Sequence, residues 1–204
     1  LLCTLFYEPS TRTRLSFEAA MQRLGGGVIS VADARMTSVA KGETIADTVR
    51  IIESYADAMV IRHPLEGSAR VAADFASVPV INAGDGAHEH PTQTLLDLYT
   101  IRREKGTLRD LNVALVGDLR YGRTVHSLAF GLARFGSNVT FVSPPGLEMP
   151  PHLVERLAKE FGCAPAEYHH LDDIVTDPGS VGKRGGRQKA LATEVLSTFD
   201  AVYV

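Results

Sequence analysis

The segment LLCTLFYEPSTRTRLSFE, Leu1 to Glu18, contains a strand, a turn and the start of a helix. Its opening apolar run is typical of a buried strand. A hydroxyl-rich turn follows Pro9, and from Phe17 to Leu24 apolar residues recur at the spacing of one helix face, directly before a glycine. This order of elements predicts the first unit of an α/β fold.

Short apolar runs alternate with helical patterns along almost the whole chain. Because strands that alternate with helices form parallel sheets covered on both faces, the pattern predicts an α/β protein with two doubly wound parallel-sheet domains. The predicted strands are Leu2–Tyr7, Val28–Val31, Ala58–Ile61, Val78–Asn82, Val113–Val116, Val139–Val142 and Ala201–Val204.

A long polar helical segment, from about Thr92 into RREKGTLRDL, separates the first four strands from the last three. We therefore place a domain boundary near Gly106, which gives domains 1–106 and 107–204. The segment Asp177–Lys189 has four glycines, four basic residues and one acid, so we expect a mobile surface loop there, with phosphate or nucleic-acid binding as the alternative. The chain has no initial methionine and both ends read as strands, which predicts a fragment truncated at both ends.

Composition excludes several classes of protein. A hydrophobic content of 45% is typical of a globular chain, and a net charge of −3 gives no general attraction to nucleic acid or anionic membranes. The sequence has no apolar run long enough to span a membrane and no signal peptide at its start. Its two cysteines, Cys3 and Cys163, favour a reducing compartment. We expect a soluble, cytoplasmic protein without nucleic-acid or membrane partners.

Unusual polar residues follow several predicted strands. EPSTRTR comes after the first strand, RHP after the third, AGDGAHEHPTQ after the fourth and GDLRYGRT after the fifth. Open parallel sheets bind ligands beyond the carboxyl ends of their strands, where helix N-termini also point. We therefore expect these four strand ends to line one cleft.

The turn after the first strand combines the features of an anion site. The helix predicted after Pro9 attracts an anion to its first turn, through its unpaired backbone N–H groups and its dipole. Hydroxyl donors are added by Ser10, Thr11 and Thr13. Arg12 supplies the planar fork that binds phosphate through two hydrogen bonds. The alternative is that Ser10 or Thr11 only caps the helix while the arginines are solvated.

The third and fourth strand ends add an arginine, an imidazole and an amide. Arg62 directly follows a buried-looking strand, and a simple salt bridge is the alternative. His90 and Gln93 flank the start of the next helix, where they can face a planar polar group together. His88 and His90 also invite a metal interpretation, but no further ligand set follows, so we predict no metal.

The remaining motifs point to substrate contacts. VALVGDLRYGRT looks like a nucleotide-binding strand and turn, but its glycines do not spell G-x-G-x-x-G and no P-loop lysine follows. Arg123 directly precedes a helix and suits a substrate carboxylate, with an interface ion pair as the alternative. Ser38 and Lys41 lie in TSVAKGET, a loop that enters a helix.

Taken together and in order, FYEPSTRTRLSFE, KGET, VIRHP, AGDGAHEHPTQTLLDL and VGDLRYGRTVHS closely resemble aspartate carbamoyltransferase catalytic chains of the aspartate/ornithine carbamoyltransferase family. The match covers roughly Leu1 to Val142, and the Asp177–Lys189 segment departs from the family. The resemblance implies a carbamoyl-phosphate domain and an aspartate domain, and trimers with shared active sites. It also implies transfer of a carbamoyl group to L-aspartate in pyrimidine biosynthesis, with no cofactor.

The resemblance also implies a role for each matching residue. The implied phosphate-binding residues are Ser10, Thr11, Arg12 and Thr13, and those that hold the carbamoyl group are Arg62, His90 and Gln93, with Thr13 and Arg62 near its carbonyl oxygen. Ser38 and Lys41 match a loop that reaches the neighbouring subunit's active site, and Arg123 matches an aspartate-binding arginine. The implied catalytic residues are Arg12, Thr13, Lys41, Arg62 and His90.

Two other functions stay open on the sequence. An ornithine carbamoyltransferase would use the same phosphate motif with a different amine, and a catalytically idle relative would serve as a phosphate-binding or scaffolding protein. The sequence also leaves open whether regulatory chains or fused pathway enzymes are partners.

Overall fold

The computed structural model describes residues 1–31, 33, 37–86, 89–171, 173–176 and 195–204. They form two compact units, Leu1–Thr92 and Gln93–Val204. Each unit contains one four-stranded sheet whose neighbouring strands all run parallel. The prediction of an α/β fold with two parallel sheets is confirmed.

The first unit has its sheet in the order β2-β1-β3-β4. Side chains of β1 alternate between two apolar clusters, with Cys3 and Leu5 in one and Leu2 and Phe6 in the other. The elements are β1 (Leu2–Phe6), α1 (Thr11–Arg23), β2 (Val28–Val31), a 3₁₀ helix (Ser38–Lys41), α2 (Ile45–Ile52), β3 (Ala58–His63), α3 (Ser68–Phe75) and β4 (Val80–Asp85).

The strand order creates a topological switch point between β1 and β3. The chain leaves β1 toward β2 on one side, whereas β3 and β4 lie on the other side of β1. Loops that leave adjacent strands in opposite directions open a crevice at the carboxyl ends of those strands. The segments after Phe6 and after Arg62 both reach this crevice, because Phe6 and Arg62 are register partners.

The second unit has the order β7-β6-β5-β8, so its switch point lies between β5 and β8. Leu115, Leu128, Leu132, Phe141 and Leu157 form the centre of its core. Its elements are α4 (Pro91–Lys105), β5 (Asn112–Val116), α5 (Arg123–Arg134), β6 (Asn138–Val142), α6 (Pro151–Phe161), β7 (Ala166–Tyr168), α7 (Asp173–Thr176) and β8 (Ala201–Tyr203), and α4 starts with the last two residues of the first unit.

Helix α4 packs within the second unit. Leu98 belongs to the core of that unit, and Gly131 lets Thr94 and Leu98 approach the backbone of α5, because a Cβ at position 131 would lie 2.9 and 3.0 Å from them. The division of contacts therefore falls after Thr92, in the first turn of α4, and the domain boundary near Gly106 stays a prediction.

The structure differs from the predicted strands at two polar ends and at one short strand. β3 continues to His63 and β4 to Asp85, because the polar ends pair with each other across an irregular register. β7 is only three residues long and largely exposed, so it carries no apolar run to predict it. The segment Asp177–Lys189 lies outside the described residues. Among the helices of the described ranges, none has the length and apolar character to cross a membrane.

Candidate active site

Arg62 is the centre of the first switch point. Its side chain is buried, with the residue only 6% exposed, near the end of β3. Nη1 donates to the carbonyl oxygen of Ala83 at 3.1 Å, and Nη2 forms an ion pair with the Glu8 carboxylate. A buried guanidinium needs such partners because an unpaired charge in the interior is very costly. The salt-bridge alternative for Arg62 therefore holds in this structure, and the bridge lies at a strand end of the predicted site.

His90 lies beside Arg62, with its Nε2 atom 3.3 Å from Nη1. Arginine only donates hydrogen bonds, so this contact is a hydrogen bond when the imidazole is neutral, with its proton on Nδ1 and Nε2 as the acceptor. The Nδ1 atom faces the Thr92 hydroxyl at 3.4 Å. The planar polar group that His90 meets here is thus the guanidinium of Arg62.

Gly84 makes room for this pair. Its φ angle is +120°, a conformation that residues with side chains rarely adopt, and a Cβ atom there would lie 3.0 Å from Nη1 of Arg62. The same Cβ would lie 3.7 Å from Cδ2 of His90. Both the backbone conformation and the space require glycine at this position.

The turn before α1 presents hydroxyls without using them as caps. The Ser10 hydroxyl donates to the Thr13 hydroxyl at 2.9 Å, and among the described residues no side chain caps the first turn of α1. That turn contains no acid, and Arg12 and Thr11 are exposed. Capping by the Ser10 side chain, one part of the alternative, is therefore wrong, whereas Arg12 is exposed as that alternative expected.

Ser38 and Lys41 lie on the exposed 3₁₀ helix, away from any contact with Arg62 or His90. Thr37 caps this helix by accepting the N–H of Val39 at 3.3 Å, and Gly42 ends it in a left-handed conformation. Within the ranges that the structure describes, neither side chain takes part in an ion pair or a side-chain hydrogen bond. The structure leaves both groups accessible.

Gln93 and Arg123 belong to the second unit. The Gln93 amide donates to the Asp97 carboxylate at 2.9 Å, while burial raises the pKa of that carboxyl group and this hydrogen bond partly opposes the rise. Arg123 is the first residue of α5, after the loop that leaves β5 at the second switch point. The structure thus brings Arg62 and His90 into contact, and likewise Ser10 and Thr13, whereas Arg123 lies at a separate strand end.

Two residues of the first site were not singled out by sequence reasoning. Glu8 neutralises Arg62, and its only signal in the sequence is an acid placed between a buried strand and Pro9. His63 accepts the N–H of Leu65 through Nδ1 at 3.0 Å, and the Ser68 hydroxyl lies 2.9 Å from the same atom. Burial lowers the pKa of His63, and the nearby Glu8 charge opposes this effect.

The structure offers no ligands for the metal alternative within the residues that it describes. Among them, no group of three histidine, cysteine or acidic residues could hold a metal ion. His88, which raised this alternative, lies outside the described residues.

The fold and these contacts define a class: α/β proteins with two parallel sheets, in which a buried arginine meets an imidazole at strand ends of the first sheet. Family models narrow the class. The aspartate/ornithine carbamoyltransferase carbamoyl-P binding domain matches residues 1–103, and the Asp/Orn binding domain of the same family matches residues 109–177. The chain belongs to the aspartate/ornithine carbamoyltransferase family.

Individual relatives agree with this assignment. The chain is 62% identical over 177 residues to the aspartate carbamoyltransferase catalytic subunit of Thermococcus gammatolerans, a match over 87% of this chain and 57% of the relative. The catalytic subunit of M. jannaschii aspartate transcarbamoylase superposes with a TM-score of 0.76 at 56% identity, over 84% of this chain and 56% of that chain.

A third relative was solved with ligands. Aspartate transcarbamoylase from Trypanosoma cruzi, in complex with carbamoyl phosphate and aspartate, gives a TM-score of 0.76 at 43% identity over 85% of this chain and 59% of that chain. The chain therefore spans a little over half the length of the relatives it matches.

The Glu8–Arg62 ion pair predicts that an anion which binds the Arg62 guanidinium must compete with the Glu8 carboxylate for it. Replacing Glu8 by glutamine keeps a hydrogen-bond acceptor but removes the opposing charge, so we expect inorganic phosphate to bind about threefold to tenfold more tightly. Isothermal titration at low ionic strength measures the change. Asp74→Asn, which removes the acid of the exposed Arg70–Asp74 pair, is the control and should have no effect. Unchanged or weaker binding in Glu8→Gln would contradict the competition.

The lowered pKa of His63 predicts loss of stability in acid. Below the ordinary histidine pKa of 6.5 the unfolded chain binds a proton that the folded chain resists, so the free energy of unfolding falls as pH decreases through that range. Urea unfolding at about pH 7.5 and about pH 5.5 measures the fall. We expect the stability of His63→Gln, whose amide oxygen also accepts the Leu65 N–H, to fall less than that of the unmodified protein. The exposed control His170→Gln should lose as much stability as the unmodified protein. Equal pH dependence in all three proteins would rule out His63 as the source.

Proposed function

We propose that the protein containing this chain is an aspartate carbamoyltransferase. It transfers the carbamoyl group of carbamoyl phosphate to the amine of L-aspartate and releases N-carbamoyl-L-aspartate and phosphate in de novo pyrimidine biosynthesis. The names of the relatives and the liganded T. cruzi structure support these substrates. The observation that carries the proposal is the contact of a buried arginine with a histidine at the switch point.

In the proposed reaction the aspartate nitrogen attacks the carbamoyl carbon. The bond from that carbon to the bridging phosphate oxygen breaks, the electron pair leaves with phosphate, and the nitrogen loses a proton. Negative charge gathers on the carbonyl oxygen as the tetrahedral species forms, so donors fixed around that oxygen lower the barrier. Arg62 and Thr13 are the proposed donors, and Arg62 is already held in place by Ala83 and Glu8.

His90 is proposed as a further donor and not as a nucleophile. In the ligand-free arrangement its Nε2 atom accepts from Arg62, so it donates to a carbonyl oxygen only when the proton occupies Nε2. A carbonyl oxygen placed between Arg62 and His90 favours that proton position, because it offers an acceptor to both side chains. Gln93 is proposed to hold the carbamoyl amide.

The leaving phosphate is proposed to bind at the start of α1. The uncapped first turn, the paired hydroxyls of Ser10 and Thr13 and the exposed Arg12 and Thr11 support this placement. Hydrogen bonds from a guanidinium and from helix N–H groups are the usual way in which proteins bind phosphate. Arg123 is proposed to bind a carboxylate of aspartate, and no cofactor or metal enters the scheme.

The assembly is proposed to be a homotrimer in which Ser38 and Lys41 complete the active site of a neighbouring subunit. The accessible position of Lys41 on its 3₁₀ helix supports this, since a cation of another subunit's site must be free to reach out. The two cysteines, both free thiols, suit a cytoplasmic enzyme. Regulatory chains or fused pathway enzymes would be additional partners.

Arg62→Ala tests the reaction and the role of Arg62 together. In the full-length protein we expect kcat for carbamoyl transfer to aspartate to fall by about 100-fold or more, because a preorganised donor to the developing oxyanion is lost. Arg70→Ala, an exposed arginine on α3, should leave kcat unchanged. Near-normal kcat in Arg62→Ala would refute the assignment. Transfer to ornithine and not to aspartate in the unmodified protein would favour the other branch of the family, and no transfer at all would favour an idle relative.

Mixed trimers test the shared active site. Lys41→Ala and Arg62→Ala subunits are each expected to be inactive, but random mixing should restore about a quarter of the sites, where Lys41 comes from one subunit and Arg62 from its neighbour. The activity of the mixture, compared with each variant alone, measures this recovery. Mixed trimers that stay inactive would show that each subunit supplies its own lysine.

A further inference from the structure

Asp85 is a buried carboxylate that has no role in the proposed reaction. It is the last residue of β4 and is only 3% exposed. Its Oδ2 atom accepts the backbone N–H of Gly67 at 3.0 Å, and Oδ1 accepts from the Asn82 amide at 3.1 Å and from the backbone N–H of Glu89 at 3.3 Å. Three N–H groups therefore converge on one carboxylate.

These donors come from the two loops that surround the Arg62–His90 contact. Gly67 ends the loop from β3 to α3, and Glu89 lies in the loop from β4 to α4, directly before His90. The backbone adds one link between the same segments, from the Gly86 N–H to the His63 carbonyl at 2.8 Å, and one within the second segment, from the Asp85 N–H to the Glu89 carbonyl at 3.4 Å. Asp85 thus joins the ends of β3 and β4 just beyond Arg62.

The position of His90 depends on this junction. The bridge between Asp85 and Glu89 turns the chain back after β4, so that His90 returns to the side of Gly84 and contacts Arg62. Without the carboxylate, the Glu89 N–H loses its acceptor, and the segment that carries the imidazole loses its link to the end of the strand.

We propose that Asp85 is a positioning residue, which holds the imidazole of His90 against Arg62 so that both side chains face the carbonyl oxygen of the substrate. The proposal rests on the proposed function for its kinetic consequence. An amide cannot replace the carboxylate, because it offers one acceptor oxygen and an NH₂ group, and at least one of the three N–H donors would then face another donor.

A double-mutant cycle in the full-length protein separates positioning from a general structural role. We expect Asp85→Asn to lower kcat about 10- to 100-fold in the unmodified protein, with a smaller change in KM. In a His90→Ala background the same substitution should change kcat by less than about twofold, because the group that it positions is absent. Asp74→Asn, an exposed acid on α3, is the matched control. Equal losses in both backgrounds, or no loss in either, would overturn the proposal.

A measurement that does not depend on enzyme activity tests the positioning role of Asp85 independently of the proposed function. In ¹⁵N-histidine spectra of the ligand-free protein, we expect His90 to be neutral with an unprotonated Nε2, and Asp85→Asn to alter that signal or its pKa. A His90 signal that is the same in both proteins would overturn the positioning role, even if the enzyme proves active on another amine. Failure of His90→Ala to affect carbamoyl transfer would instead count against the proposed mechanism.

A milder variant covers the case in which Asp85→Asn does not fold. Asn82→Ala removes one donor to Oδ1 of Asp85, together with the side-chain oxygen that accepts the Gly84 N–H at 2.8 Å, and leaves the two backbone donors to Asp85 in place. We expect a loss in kcat of about threefold to tenfold that disappears in the His90→Ala background. A loss that persists there would contradict the proposal.

Discussion

A guanidinium buried at the end of a parallel strand is the constraint on which the first unit depends. Once Arg62 lies in the interior, its charge needs a counter-ion, which Glu8 supplies, and its Nη1 atom lies within reach of Ala83 and His90. Among the described residues, the buried Nε atom of Arg62 has no hydrogen-bond partner. Gly84 follows from the same constraint, since no side chain fits beside the arginine. In the proposed function, a carbonyl oxygen takes over bonds that Arg62 already makes within the protein, so the donor is preorganised.

Both sheets have a topological switch point in their strand order, but different side chains lie at the two switch points. In each, a strand order that reverses direction opens a crevice, between β1 and β3 in the first unit and between β5 and β8 in the second. Charged and hydrogen-bonding groups, among them Arg62, Glu8 and His90, lie at the first crevice. The loop after β5, at the second, leads to Arg123 at the start of α5. The proposed function assigns the first set to carbamoyl phosphate and Arg123 to aspartate.

Sequence reasoning captured the fold because the apolar periods of strands and helices are local. It singled out Arg62 and His90, which the structure brings into contact, because both lie near the ends of predicted strands, where α/β proteins place ligands. It missed Glu8 and Asp85, because an acid that pairs with a distant arginine or collects backbone N–H groups looks, in one dimension, like any polar residue before a turn. It also ended β4 before Asp85, since a buried polar strand end is stable only through partners that lie far away in sequence.

The edge of β5 that pairs with β8 has a consequence for synthesis of the chain. The first sheet is built from strands that follow one another within residues 1–92, whereas Asn112 at the start of β5 meets Asp200 across 88 residues. During synthesis, the four strands of the first sheet are all made before β5, whereas β5 is made long before β8. In that interval β5 lacks its partner on the β8 side, and an unpaired strand edge favours non-native pairing.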